Sequence, residues 1–344
     1  MKCVLAIDSD HDGPAIETRE ENLGHKGLLI DIVDYETNHV SDSHKADLLW
    51  TSPPCQSFSS SARDASKKRA ADRQQDIRDN LFLASVFYVE RFRPRFVVLE
   101  NVMGLLSHVS NGKRGETFAE MRRSFSSLGY HVEFNVLNAL NFGLPQMRER
   151  VFIVASRDGE KGLIPPEPVP KVMPRFGDIK IENLQRGVWS PATYKTAFSK
   201  VREGRGNMTL VADDDVLPTV TCAWGGGATR KRVGIIDRHP CSMFDGCGAE
   251  HFSYIRHPDI IEGARAQGFP MEWTYPELES LAWNLIGNAV PPPMARAIAL
   301  HLRKVARGET PPYKSHLSAS KLASYTLEQY SGKHGEDIPG SMGF

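Results

Sequence analysis

Short, largely apolar runs recur along the first 160 residues, and most end in a residue with chemical potential. Residues 1–7 (Met-Lys-Cys-Val-Leu-Ala-Ile) lead into Asp8, and Leu28-Leu29-Ile30 lead into Asp31. Residues 48–51 (Leu-Leu-Trp-Thr) lead into Ser52-Pro53-Pro54-Cys55, and residues 96–99 (Phe-Val-Val-Leu) lead into Glu100-Asn101-Val102. Short continuous apolar runs bounded by turn residues predict buried strands, as opposed to the strict alternation of a half-solvated strand. Residues 15–22 are polar and helix-like. Residues 80–91 carry helical apolar spacing at Leu81, Phe82, Ala84, Ser85, Tyr88 and Val89. Pro94 breaks that helix before the next strand. A helix over 118–128 and strands over 131–137 and 151–155 follow, so strands alternate with helices as in an α/β fold.

The texture changes near residue 160. Pro165, Pro166, Pro168, Pro170 and Pro174 form a linker, and the chain to about 250 is rich in Gly, Arg and Thr with only short strand candidates. Its most pointed stretch is Leu217-Pro218-Thr219-Val220-Thr221, followed by Gly225-Gly226-Gly227 and Arg230, Lys231 and Arg232. Helical character returns over 260–268, and Gly287-Asn288-Ala289-Val290-Pro291 opens an amphipathic helix over 294–305. These shifts predict a larger α/β domain over 1–160, completed by 256–309. They also predict a smaller loop-rich domain over 161–255 and a flexible polar tail over 310–344.

Composition narrows this picture modestly. The chain has 344 residues, 40% hydrophobic and 24% charged, the profile of an ordinary globular protein. No apolar run approaches the roughly 18 residues of a membrane span, and the first residues carry no signal-peptide pattern. Five cysteines (Cys3, Cys55, Cys222, Cys241 and Cys247) form no even, closely spaced framework, which points to a reducing cytoplasm. His239, Cys241, Cys247 and His251 are ligand types suited to zinc, but their spacing matches no standard pattern and no metal site is assigned. Net charge is zero, so the placement of the 42 basic residues matters more than their sum.

Candidate chemistry gathers at strand ends. Two prolines cannot continue a sheet ladder, so Cys55 leaves the sheet where α/β folds place their sites, outside the carboxyl ends of the strands. A free cysteine is as often a buried structural residue. If the strands before Cys55 and Glu100 are parallel, both side chains emerge on one edge. Arg148 and Arg150, spaced i, i+2 before the strand over 151–155, share a face in extended chain. After Cys55, Ser57 and Ser59 to Ser61 are followed by Arg63, Lys67, Lys68, Arg69, Arg73 and Arg78, either a solvated loop or a phosphate-contacting lid.

Pro-Cys-Gln after a strand, Glu-Asn-Val after the next, Gln-x-Arg-x-Arg before a third and Gly-Asn-Ala-Val-Pro late in the chain resemble the DNA cytosine-5 methyltransferase family. Pro218-Thr219-Val220-Thr221 and Arg265-Ala266-Gln267-Gly268-Phe269-Pro270 are similar to two further family blocks, and the resemblance spans residues 1–307. It implies a Rossmann-like, S-adenosylmethionine-dependent methyltransferase sheet, with residues 161–255 as a target-recognition domain for double-stranded DNA. It implies Cys55 as the nucleophile on cytosine C6, Glu100 at the N3 side of the base, and Arg150 at O2 with Arg148 in support. It places Asp8 on the cofactor ribose and Asp31 near the adenine amino group. Leu81, Asn288 and Val290 would wall that pocket. The target base would be flipped out of the duplex, under the serine-rich loop as a lid.

The sequence departs from the family at two places. Ser9 stands where a bulky side chain often stacks on adenine. The family's first block, a strand with a Phe-x-Gly-x-Gly turn, is expected before Met1 and does not occur in the sequence. That strand belongs between those ending at Asp8 and Cys55, so the expectation is a fragment, or a split enzyme completed by a second polypeptide. A non-catalytic DNA-binding remnant is the rival reading. The related tRNA enzymes differ in a Cys-Phe-Thr stretch that does not occur here, and amino-methylating enzymes carry an aromatic residue where Cys55 stands.

Overall fold

The computed structural model describes residues 3, 6–8, 14–32, 46–53, 81–110, 113–166, 168, 170–182, 184, 188, 209–225, 233–237 and 254–309. In chain order these contain β1 (Ile7–Asp8), α1 (Pro14–Leu23), β2 (Leu28–Leu29), β3 (Leu48–Thr51), α2 (Leu81–Phe92) and β4 (Phe96–Val102). A small ribbon of β5 (Val109–Ser110) and β6 (Lys113–Arg114) precedes α3 (Glu116–Ser127), β7 (His131–Asn138), β8 (Gln146–Met147) and β9 (Glu149–Ser156). The irregular middle of the chain contributes β10 (Thr209–Val211), β11 (Leu217–Pro218), β12 (Val233–Asp237) and β13 (Tyr254–Arg256). Three helices follow: α4 (Ile260–Gln267), α5 (Glu279–Asn288) and α6 (Pro292–Ala306).

The central sheet has the order β3-β4-β9-β7. β4 lacks polar alternation because both of its faces are covered. Val97 and Leu99 pack with Phe82 and Val89 of α2 and with Met121 and Phe125 of α3. Phe96 and Val98, on the other face, pack with Met294, Ile298, Leu302 and Val305 of α6. Each such side chain contributes about 1.5–3 kcal/mol relative to exposure. α6 begins with Pro292 in its first turn and places Arg303 and Lys304 in its last, both favoured by the helix dipole and its unpaired terminal groups.

Strand direction decides what meets at the sheet edge. β3 and β4 are parallel, with Thr51 beside Leu99. β9 runs antiparallel to both β4 and β7, pairing Arg150 with Val102. An antiparallel strand brings its amino end to the carboxyl end of its neighbour, so residues that precede β9 in sequence join those that follow β3 and β4. β4 also extends beyond its apolar run, so Glu100 and Asn101 lie within the strand and inherit its rigidity.

A third core joins the middle of the chain to α4 and α5. Phe176, Val211, Leu217, Val220, Trp224, Val233 and Ile235 pack with Ala264, Ala266, Trp283 and Ile286. α5 was not expected, since the motif at Gly287-Asn288 reads as the start of a helix and is instead the end of one. Gly287 is required there by close approach. A Cβ on it would lie 2.0 Å from the backbone nitrogen of Cys222 and 2.3 Å from the carbonyl carbon of Thr221. Beneath this core, fully buried Arg256 binds Glu262 at 2.7 Å and Asp237 at 2.9 Å, and Lys180 lies 3.5 Å from Asp237, so two cations meet two acids. Glu262 also completes a capping box with Asp259 at the start of α4.

β1 and β2 form a separate parallel pair. Leu28 and Leu29 are 40% and 53% exposed, unusual for parallel strands, which are normally covered on both faces. Among the described residues β1 pairs only with β2, and β3 only with β4. α1 is tied to the remainder by Asn22, which exchanges hydrogen bonds with the backbone of Thr274. The hydroxyl of Tyr88 on α2 donates to the carbonyl of Ile32, just beyond β2. No helix among the described residues is long and apolar enough to cross a membrane.

Candidate active site

Three adjacent strands set a serine, an acid and an arginine in one row. Extending the β3–β4 register by one residue beyond Thr51 and Leu99 places Ser52 beside Glu100. On the other side, Arg150 opposes Val102 two residues further along β4 and reaches back diagonally, its Nε 3.1 Å from Glu100 Oε1. Glu100 is buried, and burial is the largest influence on its carboxyl, raising its pKa above the ordinary 4.5. The charges of Arg150 and Arg148 and hydrogen bonds from Ser52 and Arg150 oppose that rise without cancelling it. The result is an acid that retains its proton more readily than a solvated glutamate while held against a guanidinium.

Asn101, the next residue on β4, holds the chain just past the end of β3. Its Nδ2 donates to the carbonyl of Pro53 at 3.3 Å, and its Oδ1 accepts from the amide of Val102. The Thr51 hydroxyl is hydrogen-bonded to that of Ser85 on α2, anchoring the strand immediately before the turn. Cys55 and the basic serine-rich segment lie outside the described residues, as do His239, Cys241, Cys247 and His251. The described chain therefore carries the cysteine's approach as far as Pro53.

Arg148 lies in a different setting from Arg150. Its guanidinium is 1% exposed and donates to the carbonyls of Val220, Gly287 and Ala289 at 2.7–3.0 Å. Gln146, also fully buried, donates to Ala266 and Gln267 and accepts from the amide of Val220. Gln267 donates in turn to the carbonyl of Ile286. β8 pairs with β11, and Thr219 donates to the carbonyl of Met147. The Gln-x-Arg half of the motif thus binds segments 217–222, α4 and α5 into one knot, and only Arg150 turns to the acid. Arg148 acts on Glu100 through its charge across the knot.

Of the expected cofactor residues, Asp8 and Asp31 come close together at the ends of two paired strands. Asp8 ends β1, and the amide of Ile30 donates to its carbonyl, which carries the chain to Asp31 beside it. Asp8, Asp31 and Asn288 are exposed, and Val290 is half-buried just past α5. Leu81 opens α2. Two solvent-facing carboxylates at the ends of adjacent parallel strands are acceptors suited to ribose hydroxyls and an exocyclic amine, so the donor set fits a nucleoside. Sequence reasoning missed Ser52, whose only signal was its position one residue past a strand beside another ending in Glu100. It also missed the buried partnership of Gln146 with Gln267, which join segments 121 residues apart.

The sheet thus gathers an acid and an arginine beside the strand that ends toward Pro53. The sequence profile of C-5 cytosine-specific DNA methylases matches residues 1–304, and the chain belongs to this family. It is a DNA (cytosine-5-)-methyltransferase by that membership, and the family's methyl donor is S-adenosylmethionine. Type II methyltransferase M.HpaII of Haemophilus parainfluenzae is 31% identical over 310 residues, covering 86% of this chain and 81% of the relative. Type II methyltransferase M1.HphI of Haemophilus parahaemolyticus is 31% identical over 272 residues, covering 77% and 70%. Among solved structures, S. pombe Dnmt2 methyltransferase superimposes with a TM-score of 0.63 at 18% identity, over 89% of this chain and 92% of that one. That likeness concerns the fold.

Proposed function

We propose that the chain methylates C5 of cytosine in a specific duplex DNA sequence through a covalent Cys55 adduct on a base flipped out of the helix. Cytosine C5 is a weak nucleophile. Addition of the Cys55 thiolate to C6 pushes an electron pair toward C5 and splits one hard step into easier ones. Glu100, disposed to keep its proton, serves the N3 side of the ring as negative charge develops there. Arg150, fixed beside it, offsets charge at O2. Asp8, Asp31, Leu81, Asn288 and Val290 would hold S-adenosylmethionine, which would supply an electrophilic methyl group to C5, its S–CH3 bond breaking to leave a neutral thioether. Loss of the C5 proton and expulsion of the thiolate then release the product base. No target atom is reachable inside a stacked duplex, so flipping is part of the reading.

The observation that carries this reading is the buried Glu100–Arg150 pair, set in line with the strand that leads to Cys55. It favours a working site over a binding remnant, since a buried acid with a raised pKa is a costly ornament for a protein that only binds DNA. Cys55→Ala is expected to abolish methyl transfer and covalent trapping on 5-fluorocytosine DNA. Full activity in that variant would overturn the assignment.

Three finer readings accompany it. Residues 161–255 act as the target-recognition domain, anchored through β11 and Arg256. A further strand between β1 and β3, from this chain or a complementing polypeptide, completes the cofactor half. The pairing pattern of β1 and β3 and the exposure of Leu28 and Leu29 support that strand. The likeness to type II methyltransferases supports a cytoplasmic restriction–modification role. Restored protection of DNA from a cognate nuclease in cells expressing the chain would test that role.

A further inference from the structure

We propose that Ser52 is a positioning residue for Glu100: from the end of β3, its hydroxyl holds the carboxyl group in line with Arg150. This inference rests on the function proposed above, in which Glu100 serves the N3 side of the base.

The argument begins with register. Parallel neighbours project the same way from a sheet, and the pairing of Thr51 with Leu99 makes Ser52 the cross-strand neighbour of Glu100. Glu100 is therefore flanked on both sides, by a hydroxyl from β3 and a guanidinium from β9. The two flanks differ in kind. Arg150 contributes a full charge and is itself only partly exposed, at 13% of its side chain. Ser52 is exposed, so its hydroxyl links a buried acid to the open side of the site.

A hydroxyl is suited to this place because it can donate or accept by rotating. Donated to the carboxylate, it favours the ionised acid, and it can accept when the acid is protonated. Ser52 can thus follow the protonation of Glu100 without any movement of the strands. Its neighbour in sequence is Pro53, whose carbonyl Asn101 holds, so the serine's backbone is fixed from both ends. Among the described residues, the charged groups acting on Glu100 are Arg150 and Arg148. Neither can supply this switching, because an arginine only donates.

The test uses the full chain with 13C-labelled glutamate carboxyls, the Glu100 signal being identified by its loss in Glu100→Gln. In Ser52→Ala and Ser52→Val, Glu100 should titrate at higher pH than in the wild type, and Ser52→Thr should restore the wild-type curve. The same variants are then assayed, with S-adenosylmethionine omitted, for tritium release to water from DNA containing [5-3H]cytosine, which reports attack on the base without methyl transfer. Removing the hydroxyl should move the alkaline limb of the rate profile to higher pH. It should also lower the plateau by about tenfold through looser orientation, with little change in KM for DNA. Superimposed Glu100 titrations for Ser52→Ala and the wild type would overturn the inference, as would failure of threonine to restore the curve. Absence of both tritium release and 5-fluorocytosine trapping in the wild type would instead overturn the proposed function, and the titration would still decide whether Ser52 acts on Glu100.

Discussion

The two halves of the site are built to different standards. At the base-attacking edge, Glu100 stands on a seven-residue strand flanked by β3 and β9, and the sheet's two faces are sealed by α2, α3 and α6. At the proposed cofactor edge, Asp8 and Asp31 stand on or just beyond a pair of two-residue strands with exposed leucines, held through Asn22 and Tyr88. The first arrangement resists small disturbances because every partner is itself fixed. The second is open to completion by a further strand or a ligand. Rigidity is concentrated where charge must be aligned within an ångström.

The comparison breaks most sharply if the two halves respond alike to substitution. After the loss of Cys55 itself, the largest effect is expected for Arg150→Ala, which leaves Glu100 buried without its guanidinium partner. Turnover and tritium release should both fall by about 10²–10⁴-fold. Gly287→Ala should destabilise the fold by about 3 kcal/mol or more, because its Cβ would collide with backbone at Thr221 and Cys222, which cannot swing aside. Denaturant titration would show it, and an unchanged midpoint would contradict the close approach. Asp8→Ala should raise KM for S-adenosylmethionine by about 10–100-fold, the scale of a lost charge-assisted hydrogen bond, while leaving tritium release near the wild-type rate. Parallel loss of both signals would show that the halves are coupled.

Acidity offers a subtler contrast. The folded pKa of Glu100 lies above its ordinary 4.5, so the native state holds a proton that the unfolded chain has released. Below pH 4.5 this contribution to stability is fully present, and it is lost as pH rises through the folded value. Glu100→Gln should flatten that part of the stability profile measured by denaturation between acid and neutral pH. The smallest effect is expected for Leu29→Ala, within about 0.5 kcal/mol for an exposed residue. The same truncation at Leu99, fully buried, should cost about 2–5 kcal/mol. A large loss at Leu29 in the isolated chain would mean that its face is already covered.

Much of the central sheet was legible because it relies on local signals. The run over 48–51 and the helix beginning near Leu81 follow from apolar spacing and breakers alone, and the strand over 48–51 has the expected bounds, although its residues are half-buried where full burial was expected. The order of the site motifs was legible for the same reason. Direction was not. Whether Arg150 reaches Glu100 depends on β9 running antiparallel to β4, a long-range choice that leaves no trace in the arginines themselves. The partition of Arg148 from Arg150 was hidden too. Two residues spaced i, i+2 share a face in extended chain, yet Arg148 precedes β9 and turns to three carbonyls on two distant segments. α5 escaped notice because a glycine near a helix end reads as a boundary, whereas here the glycine admits another backbone.

The antiparallel course of β9 also has a consequence in time. During synthesis, Ser52 leaves the ribosome first, then Glu100, and Arg150 only fifty residues later. At about 5–20 residues per second, the acid waits several seconds for its counter-ion. Throughout that interval β4 has no β9 beside it, and Glu100 remains in water as an ordinary carboxylate. The perturbed acid thus cannot appear before β9 docks and water leaves.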